Sequence, residues 1–334
     1  MPKIDVLAIG NAIVDISVRT EEDFLINNSI IKNAMNLIDA RRAELLCSRM
    51  KTGVETSGGS AANTAAGIAG LGGKTAYLGK VAADRLGQVF ARDLQAQGVI
   101  YDTRPLTGGS PTARSMIFIT PDGERSMNTY LGACTEFGPE DIEVTRVANA
   151  KVTYFEGYLW DPPCAKEAIR LAARIARENG NEVAMSLSDP FCVDRYRDEF
   201  LHLIHSGTVD IVFANETELK SLYETASMET ALQAIRTDCR HIACITCSEK
   251  GSVIVRRDET FSVPAFPVKE PVDTTGAGDL FAAGFLYGYT NDLSLKDAAR
   301  LGSLAGSLII RQVGARTAFS LRDAAVQEGL IKTD

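Results

Sequence analysis

Histidine is nearly absent from this chain, with three in 334 residues. His202 and His205 stand three apart, His241 stands alone, and no acid-rich cluster accompanies them. A histidine-based metal centre or proton relay is thereby excluded, since each needs several imidazoles or an imidazole with partners. The Gly-x-Ser-x-Gly elbow of many hydrolases is missing too. Seven cysteines are scattered without the spacing of a disulfide framework, and the Cys244-Cys247 pair has no second pair to complete a zinc site. They read as core thiols in a reducing compartment, so a cytoplasmic protein is expected. The apolar opening, Met1 to Ile16, is broken by Asp5, Gly10 and Asp15, too short and interrupted for a membrane helix or signal peptide. Positive charge is also scarce. Lys and Arg number 35 against 43 Asp and Glu, leaving a net charge of −8 with no basic cluster. Nucleic acid and membrane surfaces are excluded as partners on that ground, and small molecules remain. The same composition leaves monomer and homodimer equally open.

What the chain does have is rhythm. Hydrophobic content of 45% and charged content of 23% are those of an ordinary globular protein. Ile4 to Ile9, Thr75 to Gly79, Val152 to Phe155, Glu182 to Leu187, Val209 to Phe213 and His241 to Ile245 are short apolar runs with strand character. Helical spacing fills many of the gaps, over Arg85 to Gly98, Pro163 to Asn179, Glu216 to Glu224 and Met228 to Asp238, and again over Leu295 to Arg311 and Leu321 to Glu328. Strands alternating with helices predict an α/β fold with a mainly parallel sheet and helices on both faces. Two stretches break the pattern. Ala113 to Thr120 and Glu124 to Tyr130 flank Pro121-Asp122-Gly123, a hairpin signal, while residues from about 14 to 40 show no strong helical period. Together, about 14–40 and 111–131 are expected to form a small β-sheet lid on a core made by the remainder of 1–334. A second hairpin is expected around Arg257-Asp258-Glu259.

The most informative stretch is Asp273-Thr274-Thr275-Gly276-Ala277-Gly278-Asp279, which runs directly into the apolar Leu280-Phe281-Ala282-Ala283. The first N–H groups of a helix lack partners, and the glycines let an anion approach them closely. Asp279 in that first turn would repel a bound phosphate. A carboxylate there makes sense when a hydroxyl lies between the two and must lose its proton. The stretch therefore predicts phosphoryl transfer to an alcohol, with Asp279 as base and Gly276, Ala277 and Gly278 as an anion hole. Simple helix capping by Asp273 or Thr275 is the blander explanation, and it leaves the two glycines and the second acid unexplained.

A second glycine turn, Ser57-Gly58-Gly59-Ser60-Ala61-Ala62-Asn63, opens another alanine-rich helix, with Ser60 a natural cap and Asn63 one turn in. It reads as the other wall of one cleft. Asn11 and Asp15 follow the first strand, where α/β sheets bind ligands, although turn and capping roles fit them as well. Arg125 lies near the hairpin tip, from which a guanidinium can close on a transferring phosphate. Asn215-Glu216-Thr217-Glu218 has the spacing of a capping box, and Glu218 is equally placed to order water around Mg²⁺. Ile68 to Thr75 imitates a P-loop, but its first position is Ile68 and it leads from helix to strand, the reverse of what that loop needs.

The Asp-Thr-Thr-Gly-Ala-Gly-Asp stretch resembles the C-terminal signature of the ribokinase-like (PfkB) family of carbohydrate and nucleoside kinases. Gly58-Gly59-Ser60-Ala61-Ala62-Asn63 is similar to its N-terminal signature, and Asn215-Glu216-Thr217-Glu218 to its magnesium and phosphate motif. The likeness spans essentially the whole chain. Gly10-Asn11-Ala12-Ile13-Val14-Asp15-Ile16, Gly157-Tyr158, Leu187-Ser188-Asp189-Pro190-Phe191 and Leu308-Ile309-Ile310-Arg311 are more similar to the adenosine-kinase branch than to sugar kinases. By that resemblance, Asn11, Asp15, Gly59 and Asn63 hold ribose hydroxyls; telling a nucleoside from free ribose then needs an apolar slot for the base, for which Ile13 and Leu159-Trp160 are available. Arg125 closes on the phosphates and Asp279 is the base. Asn215, Thr246, Ser248, Gly251 and Thr275 lie along ATP, Glu218 meets Mg²⁺ through water, and a monovalent cation such as K⁺ binds near Asp273. The chain departs from the pattern at Ser248, where the family often has glycine, and at Leu159-Trp160, where adenosine kinases tend to have an aromatic and then an aliphatic residue. Adenosine is the expected acceptor. Guanosine, inosine, and ribose, fructose or related sugars stay open. A nucleoside-binding protein without turnover is disfavoured, because mere binding has no use for a base beside an anion hole.

Overall fold

Side-chain alternation builds the core. In the computed structural model, which describes residues 3–257 and 259–333, β1 (Ile4–Ile9) is buried along its whole length. Val6 and Ala8 face one layer of helices while Leu7 and Ile9 face the other. The same division recurs across the sheet, because successive residues of a strand point to opposite faces. Beside β1 lie β5 (Thr75–Leu78) on one side and β8 (Ala150–Glu156) on the other, followed by β9 (Glu182–Ser186), β10 (Ile211–Asn215) and β11 (Ile242–Thr246), all parallel. The antiparallel β12 (Ser252–Arg256) and β13 (Glu259–Val263) complete the edge. Asp258, of the expected Arg257-Asp258-Glu259 turn, lies outside the described residues, as do Met1 and Pro2 of the opening stretch. Helices Ser60–Gly70, Ala277–Thr290 and Leu295–Ile309 cover one face. Helices Pro163–Glu178 and Pro190–His205, with the two that follow, cover the other. The α/β expectation holds, with a large, mostly parallel sheet between helices.

The second sheet has the order β3-β7-β6-β2-β4, from β2 (Ile13–Arg19), β3 (Met35–Leu37), β4 (Val54–Gly58), β6 (Ala113–Ile119) and β7 (Arg125–Tyr130). The β6–β7 hairpin turns at Pro121-Asp122-Gly123, with Gly123 at φ +87°. The 14–40 segment contributes β2 and β3, but helix Glu22–Asn27 separates them where strands alone were expected. β4 is an addition that the sequence reading did not include; Ser57 and Gly58 are its last residues, so the small sheet runs straight into the second glycine turn. Val18, Leu25, Leu46, Met116 and Phe118 form this sheet's own apolar cluster.

Close backbone packing fixes the helix that follows Gly276. A Cβ on Gly284 would lie 2.7 Å from the Cα of Gly302, and one on Gly288 would lie 2.8 Å from the Cα of Ala298. No side chain fits either gap, so helices Ala277–Thr290 and Leu295–Ile309 meet backbone to backbone.

Candidate active site

Gly276 is the N-cap of helix Ala277–Thr290, in the left-handed region at φ +80°, and no side chain caps the helix. Capping by Asp273 or Thr275 is therefore ruled out as the reason for this stretch. The Ala277 N–H turns back to the Thr274 carbonyl at 3.2 Å. Gly278 is exposed, and a Cβ placed on it would meet nothing within 4 Å, so the space before the turn is open. Asp279 occupies the third helical position. Its Oδ1 accepts a hydrogen bond from Ser60 Oγ at 2.6 Å and its Oδ2 accepts one from Asn63 Nδ2 at 2.8 Å. Thr64 Oγ1 donates to the Asp279 carbonyl at 3.2 Å. The two glycine turns thus face each other across one carboxylate, as the sequence reading expected. One detail differs. Ser60 is not the cap of its helix, because Gly59 takes that position at φ +94°, and this frees the Ser60 hydroxyl for Asp279. The Asn63 Oδ1 is buried with no partner, an acceptor without a donor. Burial raises the Asp279 carboxyl above its ordinary range, opposed by Ser60, Asn63 and Arg316.

Asn11 and Asp15 stand on the acceptor side, in different surroundings. Asn11 is buried, and both its N–H and its Nδ2 donate to Glu156 Oε1 at 2.9 Å. Glu156 Oε2 accepts from the Ala61 N–H at 2.7 Å. This carboxylate, at the end of β8, joins β1 to the N-terminus of helix Ser60–Gly70, and burial pushes it up to about 7. It was not anticipated, although an acid immediately before Gly157 at a strand end was the available signal. Asp15, on β2, is pushed up to about 6 by burial, with Arg316 and Arg125 opposing and Asp279 adding to the shift. A Cβ on Gly58 would sit 2.4 Å from Asp15 Oδ2, and one on Gly59 would sit 2.2 Å from the Asn11 carbonyl. Those two positions must be glycine for the walls to come this close. Asp15, Ser57, Arg125 and Arg316 line a cavity of about 590 Å³. Ile13 is partly buried at the start of β2, beside this region.

Leu159 is placed elsewhere. It has no exposed surface, and with Trp160 it packs into the far core layer, where Trp160 stacks on Phe155 with ring centroids 6.1 Å apart. The expected slot of Ile13 with Leu159 is corrected accordingly, since the two side chains belong to separate apolar clusters. The short turn Gly157–Trp160 folds its large side chains inward, and apolar burial outweighs exposure at the cleft.

Arg125, the first residue of β7, reaches across to form an ion pair with Asp273 and contacts Thr275 Oγ1 at 3.3 Å. Asp273 also accepts from the Thr275 N–H at 3.0 Å and from the Gly314 N–H at 2.8 Å. Burial opposes its charge, but the Gly314 and Thr275 hydrogen bonds outweigh burial and hold it below the usual carboxylate range. With its oxygens taken by a guanidinium and two amides, Asp273 does not fit a monovalent cation in this conformation. Farther along the sheet edge, Asn215 pairs with Thr246 at the ends of β10 and β11. Ser248 is exposed at φ +51°, and the buried Gly251 at φ +95° closes the following turn. Glu218 completes a full capping box with Asn215, whose N–H and Nδ2 donate to it at 2.9 and 2.6 Å, and burial pushes it up to about 7. The capping role is thus real, and it holds the carboxylate at the same edge as Asn215 and Thr246.

Arg316 is the second residue that the sequence reading missed. It comes from the loop after helix Leu295–Ile309, donating from Nη1 to the Ala62 carbonyl at 2.9 Å and from Nη2 to Ser57 Oγ at 3.0 Å. No local pattern around Gly314-Ala315-Arg316 marks it.

Residues 26–322 match the profile of the pfkB family carbohydrate kinases. A crystal structure of a probable sugar kinase protein from Rhizobium etli is 62% identical, covering 99% of this chain and 100% of that one, with a TM-score of 0.93. The crystal structure of adenosine kinase from Sinorhizobium meliloti is also 62% identical, with 98% and 99% covered and a TM-score of 0.91. The ATP-dependent ribose-1-phosphate kinase of Halopiger xanaduensis is 31% identical over 79% of this chain and 83% of its own length.

Proposed function

We propose, for a chain that belongs to the pfkB family of carbohydrate kinases and is a phosphotransferase, that it transfers the γ-phosphoryl group of ATP to the 5′-hydroxyl of a nucleoside, adenosine before others. One observation carries the chemistry: Asp279 is held between Ser60 and Asn63 at the mouth of an open glycine turn. The resemblance to an adenosine kinase at 62% identity supports the acceptor.

On this reading the ribose lies along Asp15 and Asn63, its hydroxyls donating to the Asp15 carboxylate and to the unpartnered Asn63 Oδ1. Asp279 takes the 5′-hydroxyl proton as the new O–P bond forms and the bond to the β-phosphate oxygen breaks, releasing ADP. The Gly276–Gly278 turn supplies the anion hole for the transferring charge, the Ala277 N–H leaving the Thr274 carbonyl to join it. Arg125 exchanges Asp273 for the phosphates when ATP arrives. Asn215, Thr246, Ser248, Gly251 and Thr275 form the nucleotide side. Both Glu218 oxygens are engaged by Asn215, which fits a Mg²⁺ ion met through water rather than ligated directly. The ion, when bound, neutralises phosphate charge.

A sugar or sugar-phosphate acceptor is the second reading. It is favoured by the placement of Leu159 and Trp160 in the core, which removes the apolar slot expected for a base, and by the similarity to a ribose-1-phosphate kinase. A coupled ADP-release assay over adenosine, guanosine, inosine, ribose, fructose and ribose 1-phosphate separates the two. The nucleoside reading requires adenosine to exceed every sugar in kcat/KM, by on the order of a hundredfold at 1.4 kcal/mol per decade. A sugar or sugar phosphate that outperforms the nucleosides overturns it.

A further inference from the structure

Three consecutive residues of the loop after helix Leu295–Ile309 between them touch both glycine turns of the cleft. The Gly314 N–H donates to Asp273 at 2.8 Å. Ala315 lies against Gly276, where an added Cβ would come within 2.8 Å of the Ala315 Cβ. Arg316 crosses to the other glycine turn and bonds Ala62 and Ser57. Both of those partners are neutral. Neither bond neutralises the guanidinium; burial disfavours its charge while Asp93, Asp15 and Asp279 favour it, and its Nε is buried without a partner.

The surroundings of those acids give that charge its meaning. Asp15 on β2 is faced by Arg316, by Arg125 from β7 and by Asp279. Asp279, on its helix, is faced by Ser60 and Asn63, which are neutral, and by Arg316. Asp279 in turn acts on Glu156 and Tyr154 of β8, on Tyr158 just beyond it and on Glu218 beside β10. Asp93, whose Oδ2 accepts from the Ser57 N–H at 2.7 Å, faces Arg316 from behind. Arg125 is paired with Asp273 and is committed to the phosphates on the reading above. Arg316 is thus the cation, among the described residues, that bears on both acceptor-side acids. Two carboxylates in one cleft without it would each hinder the other's ionisation.

We infer that Arg316 is a positioning residue of the transfer site, whose fixed charge lets Asp15 and Asp279 be anionic together in the acceptor cleft while its two hydrogen bonds hold the cleft's walls in register. The inference rests on the reading of Asp15 as a hydroxyl acceptor and Asp279 as the base. It assigns the acceptor side a cation that acts through other residues, whereas Arg125 acts on the phosphates.

The test compares Arg316→Met and Arg316→Lys with the parent enzyme across pH. Two quantities are followed: kcat/KM for adenosine at saturating ATP·Mg²⁺, and Kd for adenosine alone by calorimetry. Removing a neighbouring opposite charge should move the acidic limb of both profiles upward by about one pH unit in Arg316→Met. Arg316→Lys keeps the charge and should leave both limbs near their original positions, even if kcat/KM falls. If Arg316→Met is not recovered folded, Arg316→Gln, which retains donors without charge, is read with the same expectation. A folded neutral variant with both limbs unmoved overturns the inference and reduces Arg316 to a structural tie. The calorimetric limb needs no turnover, so it still reports on Asp15 if Asp279 proves not to be the base. That separate failure shows as near-normal kcat in Asp279→Asn.

Discussion

Asp279 is held by two neutral donors, Ser60 and Asn63, and among the described residues no cation bonds it directly. Neutral donors orient a carboxylate without lowering its basicity as far as an ion pair would. Asp279→Asn keeps the shape but cannot take a proton, and kcat should fall by about 10²–10⁴-fold while the adenosine Kd changes far less. Turnover close to that of the parent would remove the base assignment. Asp279 was legible because its oddity is local, an acid where an anion should bind. Asn63 was legible for a similar reason, lying one turn past a glycine turn, whereas Ser60 was read as a helix cap and its bond to Asp279 was not foreseen. Glu156 and Arg316 were not. Their partners lie 95 and 254 residues away in the chain, at Ala61 and Ala62, and such pairings exist only after folding.

Among the elements, the glycine turn before helix Ala277–Thr290 divides its two glycines by task. Gly276→Ala would place a side chain in the left-handed region and drive it into Ala315, and should cost about 1–2 kcal/mol of stability together with most activity. Gly278→Ala meets nothing in the folded chain, so stability should hold while the KM for ATP rises as the mouth narrows. Chemical denaturation and steady-state kinetics on the pair decide this, and equal destabilisation by both would refute the division. The hairpin of β6 and β7 carries Arg125 in the same spirit. Arg125→Ala should lower kcat at saturating substrates more than it raises KM if, as proposed, the guanidinium acts once charge moves onto the phosphates. An effect confined to KM would make it a ground-state contact. The hairpin was readable from Pro121-Asp122-Gly123 and its β-prone arms, and the parallel strands from their apolar runs. β4 was not, since Val54-Glu55-Thr56-Ser57-Gly58 has little apolar content and owes its strand form to pairing with β2. Leu159-Trp160 failed in the other direction: sequence order puts them next to the cleft, and the turn folds them into the core.

Across the whole molecule, charge and stability run against each other. Asp15 is raised to about 6, and Glu156 and Glu218 to about 7, each by burial first. Unfolded carboxylates titrate near 4, so the folded chain holds more protons between about pH 4 and 7. The stability from these groups is fully present at the acid end of that window and is lost as pH rises through it. On the proposed reading, acceptor binding has the opposite sign, because ionised Asp15 is the form that accepts hydroxyls. Between pH 7 and 5.5 the melting temperature of the unliganded protein should hold or rise while adenosine affinity drops about fourfold, the change in ionised fraction for a group near 6. A melting temperature that falls in step with affinity across that window would overturn this reading, since carboxylates held below the usual range, Asp84 and Asp273 among them, lose their stabilisation only below about pH 5.

The loop of Gly314, Ala315 and Arg316 also bears on when the site comes into being. A chain leaves the ribosome from its N-terminus and can fold as it emerges. The glycine turn at Ser57–Asn63, the hairpin and most of the parallel strands are made well before Arg316, and the helix bearing Asp279 also precedes it. Until Arg316 joins them, Asp15 and Asp279 lack the cation that, among the described residues, bears on both. On the inference drawn for Arg316, the acceptor cleft is completed only when a loop that belongs to neither sheet has been made.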